Sequence, residues 1–365
     1  MKKDRVAILY GGRSGEHEVS LNSGASVYRN LDRNRYEPLL VGITKDGRWY
    51  LQPAEVSQAA LEGDSPLEIE AKQENLLSVT PSGGLSLGGR SLEVDVVFPV
   101  LHGSFGEDGT VQGLLEVAGL PYVGAGVLGS SLGMDKHRVK EVWERQGLPV
   151  LPFVGFGRRE VERGGAAKLV APLLEEQEYP LFVKPVRAGS SVGITKVKSA
   201  SELEAAVREA LVWDSRVIVE PGIDAREIET AVLGGEDPTV FEPGEVVVRS
   251  EFYSYEAKYL DPAGAELAIP ADIPPLLRER IREIARKAFV SADCHGFARI
   301  DLFLERGSSA IYLNEINTIP GFTQISMFPK MVEAGGVPYP ELLGRVIDLA
   351  KERKAERDTL RYEFR

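Results

Sequence analysis

The stretch 299–323, RIDLFLERGSSAIYLNEINTIPGFT, constrains the fold most, because it writes two alternating strands around a short RGSSA turn and ends them at Pro320–Gly321. Glu315 and Asn317 are two apart on the second strand, so a period of two puts both on one face. Pairing around the turn brings Asp301 opposite them, provided no bulge shifts the register. An ordinary hairpin with one wet face would also place charges outward, but here two carboxylates and an amide oxygen converge. Hard oxygens at this spacing suit Mg²⁺, which keeps some waters and completes its shell with substrate phosphates. The turn at Pro320 and Gly321 follows directly and presents backbone N–H groups beside that point.

Such a hairpin needs a body to pack on. A chain of 365 residues with 43% hydrophobic content builds two or three domains with full cores. The longest apolar runs, such as VDVVFPVL at 94–101, are strand-sized, and MKKDRVAILYGG leads straight into a strand and a glycine turn. No membrane segment or targeting signal is expected. One cysteine, Cys294, excludes an internal disulfide, four scattered histidines make no zinc cluster, and a reducing cytoplasm follows. A formal net charge of −12 argues against nucleic acid and leaves small molecules as the partners.

The N-terminal part alternates strands and helices: RVAILYGG, a helix near 18–31, YEPLLVGIT, VDVVFPVL and a helix at about 109–118. This is the rhythm of an open parallel α/β sheet. The glycine-rich stretch 81–90, PSGGLSLGGR, precedes no helix and reads as a flexible turn without a ligand. LPYVGAGVLGSS at 120–131 has the composition of a crossing between domains. A helix at about 130–147 opens a second unit, which closes with strands around a helix at 201–212. A third unit holds the hairpin, the amphipathic helix 275–292 and a C-terminal helix from about 340. The three units are expected at 1–128, 129–222 and 223–365.

Several stretches carry chemistry. In VKPVRAGSSVG a strand delivers Lys184 to a loop of Gly189, Ser190, Ser191 and Gly193, whose small residues let backbone N–H groups wrap phosphate oxygens. A tight hairpin with a solvated lysine is the alternative, and the loop is not a Walker sequence. Lys136 at a helix start and Lys258 in EFYSYEAKY would add cations, though a lone lysine is usually a surface group. Glu220 closes a strand at a Pro–Gly turn, where it is placed to accept from an adenine amino group beside the Ile223 N–H, with Glu227 on ribose hydroxyls. Glu16 sits at the glycine turn that opens the first helix, as a dipole cap or a ligand residue. His102 and Glu107 stand in LHGSFGEDG at the carboxyl edge of the sheet, where open α/β sheets bind ligands.

The motifs GGRSGEHEVS, HGSFGEDGTVQG, GSSLGMDKHRVK, FVKPVRAGSSVG, FYSYEAKY, RIDLF and NEINTIPGFT, in that order, resemble those of the D-alanine–D-alanine ligases, members of the ATP-grasp superfamily, over nearly the whole chain. The resemblance implies a three-domain α/β (α+β) ATP-grasp ligase with an N-terminal open parallel sheet, acting in peptidoglycan precursor synthesis as a cytoplasmic homodimer. It implies ATP between the central and C-terminal units, and two Mg²⁺ ions (or Mn²⁺) on Asp301, Glu315 and Asn317, with Glu315 bridging. Lys136, Lys184, Ser191 and Lys258 then match the phosphate contacts, and Glu220, Ile223 and Glu227 the adenosine contacts. Glu16 matches the residue holding the first D-alanine ammonium, with His102 and Glu107 nearby, and Ser326 and Met327 meet the second substrate's carboxylate. Arg299 and the Gly321 N–H match the oxyanion donors, and a lid at about 245–265 brings Tyr259 to Ser190 and Glu16. Pro221 stands where the family often has lysine or glutamine, at a contact usually made through backbone. The nearest alternatives are a D-alanine–D-lactate or D-alanine–D-serine ligase, from which Tyr259 after Lys258 points away.

Overall fold

The computed structural model describes residues 2–63, 65–248 and 265–362. Parallel strands Asp4–Gly11, Tyr36–Ile43 and Val96–Pro99 form the first sheet, with the short Trp49–Leu51 antiparallel on its edge. Buried on both faces, the first strand shows an unbroken apolar run from Val6 to Tyr10 rather than an alternating one. Its crossover helix is His17–Asn30, and Thr110–Ala118 follows the third parallel strand. The stretch 81–90 is not a flexible turn. It contains the strand Gly84–Leu87, paired on either side with Leu77–Thr80 and Arg90–Leu92. Its glycines serve the two tight turns, where Gly84, Gly88 and Gly89 take positive φ, and Leu85 is buried.

The expected helix at 130–147 is two helices, Val127–Met134 and Lys136–Arg145. The break is Asp135, whose extended backbone ends the first helix while its carboxylate accepts from the Arg138 N–H at 2.9 Å to cap the second. A four-stranded antiparallel sheet follows, in the order Thr195–Val197, Leu181–Pro185, Arg216–Pro221, Val154–Gly157. Helices Ala166–Leu174 and Ala200–Trp213 cover one face through Val170, Leu173, Leu203 and Val207, leaving the other face free to line a cleft.

The third sheet is also antiparallel. Its path runs Ala265–Ala268, Gly244–Val248, Ala225–Gly234, Gly296–Glu305, Ile311–Asn317, with Thr239–Val240 paired to Ala225–Gly234. Helix Pro275–Ser291 packs Ile281, Ala285 and Phe289 in one core beneath it, which also takes Val139 and Trp143 of the Lys136–Arg145 helix. A second core joins this sheet to the first through Met327–Ala334 and the C-terminal helix Tyr339–Asp358. Phe322 is the hinge of that junction, with its ring 5.8 Å from Phe98 and 5.1 Å from Phe297. The 120–131 crossing packs tightly there: Gly296, at φ +81°, leaves room only for the backbone of Gly124.

The hairpin forms, but a bulge does intervene. Leu304 pairs with Ile311 and Leu302 with Leu313, and then the register shifts so that Asp301 faces Glu315 and Arg299 faces Asn317. Asn314 is the extra residue. Uninterrupted pairing would set Asp301 against Asn314 and turn Glu315 toward the core; the bulge instead returns Ile316 to the core and leaves Asn314, Glu315 and Asn317 on the wet face. The convergence expected without a bulge is therefore produced by one.

Candidate active site

A cleft of about 650 Å³ lies between the bare face of the central sheet and the wet face of the third. Lys184, Ser190, Ser191 and Lys136 line one side, and Ile223, Glu227, Arg299, Asp301 and Glu315 line the other. Lys136, at the start of its capped helix, donates to the Ala188 carbonyl at 2.8 Å and pairs with Glu315 at 3.2 Å, tying the glycine–serine loop to the hairpin. Ser190 and Ser191 both hold positive φ, 51° and 60°, a conformation costing L-residues about 1–3 kcal/mol and concentrated at binding sites.

Glu16 reaches this loop from the first domain: its carboxylate accepts from the Ser190 hydroxyl. Two glycines make that possible. A Cβ on Gly103 would lie 2.6 Å from Glu16 Oε2, and one on Gly189 would lie 3.0 Å from it.

Arg299 is the cation of the acidic wall. Its Nε and Nη2 donate to the two oxygens of Asp301 at 2.7 and 2.6 Å, and Nε lies 3.0 Å from Glu229 Oε2. Burial opposes the charge, but Asp301 and Glu229 outweigh it and hold the guanidinium's pKa well above its ordinary value. Asn317 Nδ2 donates to Asp301 Oδ2 at 2.9 Å. The donor set fits a hard divalent cation: two carboxylates and, after half a rotation of the Asn317 amide, a third oxygen. Among the described residues no three His, Cys, Asp or Glu side chains form a ligand cluster.

Other expected contacts lie elsewhere. Glu220 is fully buried and absent from the cleft lining; Lys140 takes one of its oxygens and Lys184 the other, at 2.7 Å. Burial works to raise its pKa, and the two ammonium groups overturn that and lower it to about 2. An adenine amino group would have to compete with both lysines for this carboxylate. His102 is likewise engaged. A carbonyl can only accept, so the 3.0 Å contact to Ile319 O puts the proton on Nδ1 and leaves Nε2 to accept from Ser23 Oγ at 3.0 Å. Burial lowers its pKa and keeps it neutral.

Glu107 accepts from Gly103 N at 2.9 Å and from Ile319 N at 3.2 Å, so His102 and Glu107 together hold both polar backbone groups of the residue before Pro320–Gly321. Ser326 caps this loop, its hydroxyl 2.8 Å from Thr323 Oγ1, with Met327 buried behind it. Lys258, Tyr259 and most of the expected lid lie outside the described residues.

Ser23, Lys140, Glu229 and Asn314 were not singled out by sequence reasoning. Helical spacing from Lys136 would have found Lys140, and alternation from Glu227 would have found Glu229; nothing local marks Asn314 or Ser23.

Desolvation first, and then the Glu16 carboxylate, push the Glu107 carboxyl up from 4.5 to about 8 against its two N–H donors. Between these values the folded protein keeps a proton that the unfolded chain releases, so stability falls as pH rises through the window. Wild-type urea midpoints, compared with those of Glu107→Gln, should drop between about pH 5 and about pH 8. A difference that stays flat or grows would remove the raised pKa.

A parallel-sheet domain set before two facing antiparallel sheets with a cleft between them is the architecture of an ATP-grasp enzyme with an N-terminal domain. The profile described as D-ala D-ala ligase N-terminus matches residues 5–125, and that described as D-ala D-ala ligase C-terminus matches 142–348. The chain belongs to the D-alanine–D-alanine ligase family. It is 46% identical to the D-alanine–D-alanine ligase of Treponema denticola, over 95% of this chain and 96% of that one. It is 48% identical to D-alanine–D-alanine ligase A of Bradyrhizobium diazoefficiens, over 98% of both. Among solved structures, the D-alanine–D-alanine ligase from Coxiella burnetii superimposes with a TM-score of 0.85 at 35% identity, covering 98% of this chain and 97% of that one. A D-Ala:D-Ser ligase from Enterococcus faecalis gives 0.82 at 37% identity, covering 96% of this chain and 100% of that one.

Proposed function

We propose that this chain joins two D-alanine molecules into D-alanyl-D-alanine at the expense of ATP, for peptidoglycan precursor synthesis. The observation that carries this reading is the single cleft in which a basic wall, Lys136 and Lys184, faces an acidic one, Arg299, Asp301 and Glu315, with Glu16 reaching in through Ser190. The domain limits 1–128, 129–222 and 223–365 belong to it: each of the three larger sheets lies within one of these ranges.

In this reading the lysines hold the triphosphate, and the backbone of the glycine–serine loop closes on its oxygens. Ile223 and Glu227 take the adenosine, while Glu220 acts from behind the wall, through Lys184. Asp301, Glu315 and Asn317 would hold a pair of Mg²⁺ or Mn²⁺ ions, which neutralise phosphate charge and polarise the γ-phosphoryl group. Glu16 receives the ammonium of the first D-alanine, so that its carboxylate oxygen attacks the γ-phosphorus, the bond to ADP breaks, and an acyl phosphate forms. The amine of the second D-alanine, its carboxylate at Ser326 and the Met327 N–H, then attacks the acyl carbon. The oxyanion is met by Arg299 and the Gly321 N–H, and inorganic phosphate leaves. His102 and Glu107 serve by fixing Ile319, which sets where the Gly321 N–H points.

Phosphate release from ATP should require added D-alanine, with D-alanyl-D-alanine identified by mass; release without D-alanine would defeat the proposal. The likeness to the D-Ala:D-Ser ligase supports one second reading, in which the second amino acid is D-serine. Adding D-serine or D-lactate beside D-alanine and weighing the products decides between them, and D-alanyl-D-alanine is expected to dominate. Among the described residues no helix is long and apolar enough to cross a membrane. Cytoplasmic residence and a homodimer complete the proposal, supported by the lone buried Cys294 and by the family.

A further inference from the structure

Lys140 is among the most buried large side chains of the protein, at 1% exposure, and burial lowers the pKa of its ammonium group while the Glu220 carboxylate beside it works to hold the charge. It stands one helical turn after Lys136 on the helix Lys136–Arg145, so both ammonium groups leave the same face toward the cleft. Its Nζ pairs with Glu220 Oε1 and lies 3.4 Å from the carbonyl of Leu313, the residue before the Asn314 bulge. Glu220, on the strand Arg216–Pro221, gives its other oxygen to Lys184 at 2.7 Å.

A lysine paired alone with a buried carboxylate is a neutral dipole, and such a pair offers little to an anion. With Lys140 present, Glu220 is shared between two ammonium groups and the trio keeps one net positive charge. That charge emerges where Lys184 lines the cleft, because Lys140 and Glu220 are sealed from it.

We propose that Lys140 is a positioning residue for nucleotide binding. It occupies one oxygen of Glu220, so that Lys184 faces the cleft as an uncancelled cation at a fixed height, and it fastens that wall to the hairpin strand carrying Glu315. The proposal rests on the reading of the cleft as a nucleotide site.

The test measures binding of a nonhydrolysable ATP analogue with Mg²⁺ to the full-length protein, without D-alanine, for wild type, Lys140→Met and Lys140→Met/Glu220→Gln. The single variant should bind about tenfold more weakly or worse, since Glu220 then cancels Lys184, while KM for D-alanine stays unchanged. The double variant removes the carboxylate together with its partner, keeps an acceptor oxygen at position 220, and should return to within about threefold of wild type. A lysine that merely fills space would not be rescued by changing Glu220.

Lys140→Met binding as tightly as wild type overturns the proposal, as does a double variant no better than the single one. Should Lys140→Met fail to fold, the double variant decides alone, because it buries no unpaired charge. Affinity near wild type then supports the proposal, and a loss beyond tenfold overturns it. Wild-type protein that does not bind the analogue overturns the nucleotide reading itself and the proposal with it, a result distinct from either failure above.

Discussion

Glu315→Gln should leave a folded protein whose turnover has fallen about 10³-fold or more, since removing the carboxylate proposed to anchor catalytic charge at the phosphoryl group would forfeit about 4 kcal/mol of transition-state stabilisation. The change is isosteric, so the bulged strand keeps its shape. What disappears is one negative charge facing Asp301 across the hairpin and 3.2 Å from Lys136. Lys136 keeps its hydrogen bond to the Ala188 carbonyl, and the amide oxygen can still accept from it, so the variant should stay folded with only part of that ion pair's contribution lost. The measurement pairs D-alanine-dependent phosphate release with a thermal melt. A variant that melts like wild type and turns over within tenfold of it would remove Glu315 from the proposed cation site. A variant that is inactive because it is unfolded would show a lost transition rather than a slow rate.

Why Glu315 can act at all depends on a detail the sequence hides. The alternation of 299–305 and 311–317 and the turn between them mark the hairpin, and oxygen-bearing side chains in place of apolar ones mark its wet face. The bulge is invisible, because Asn314 is one polar residue beside another and the shift is set by pairing with a neighbouring strand rather than by local preference. The parallel sheet was legible for the opposite reason: burial on both faces writes long apolar runs, as in Val6–Tyr10. Asp135 was legible in principle, as a capping residue in mid-pattern, yet a continuous apolar stripe on either side conceals a break of one residue.

The charged groups show where single-residue reasoning stops. Glu16, Lys136, Lys184, Arg299 and Asp301 come together as their motifs suggest. Glu220 and His102 carry the expected chemistry but spend it on other parts of the protein, because a side chain's partner is fixed by long-range packing: Lys140 lies 80 residues from Glu220 in the chain, and Ile319 is 217 residues from His102. A lysine inside a helix reads as solvated, so the spacing of Lys140 from Lys136 marks a shared face, and only the assembled sheets show that this face is buried.

Arg299→Met is the substitution expected to damage both stability and rate. Glu229 and Asp301 are register partners on adjacent strands, so their carboxylates project from the same face at neighbouring positions, and Arg299 bridges them. Without the guanidinium, Asp301 and Glu229 lose the cation they share, and breaking an ion pair with so little access to water typically costs about 3–5 kcal/mol. Urea unfolding should show that loss, and Glu229→Gln in the same chain should recover a large part of it by removing one of the two charges. The rate answers a different question. At a temperature where the variant is still folded, loss of the proposed oxyanion donor should lower D-alanine-dependent phosphate release by about 10²–10³-fold. The Glu229→Gln background should not restore it, since the amide relieves repulsion but supplies no cation. If the double variant regained both stability and rate, Arg299 would be holding the sheet together and nothing more, and the oxyanion would have to be met by the Gly321 N–H and the lysines of the opposite wall.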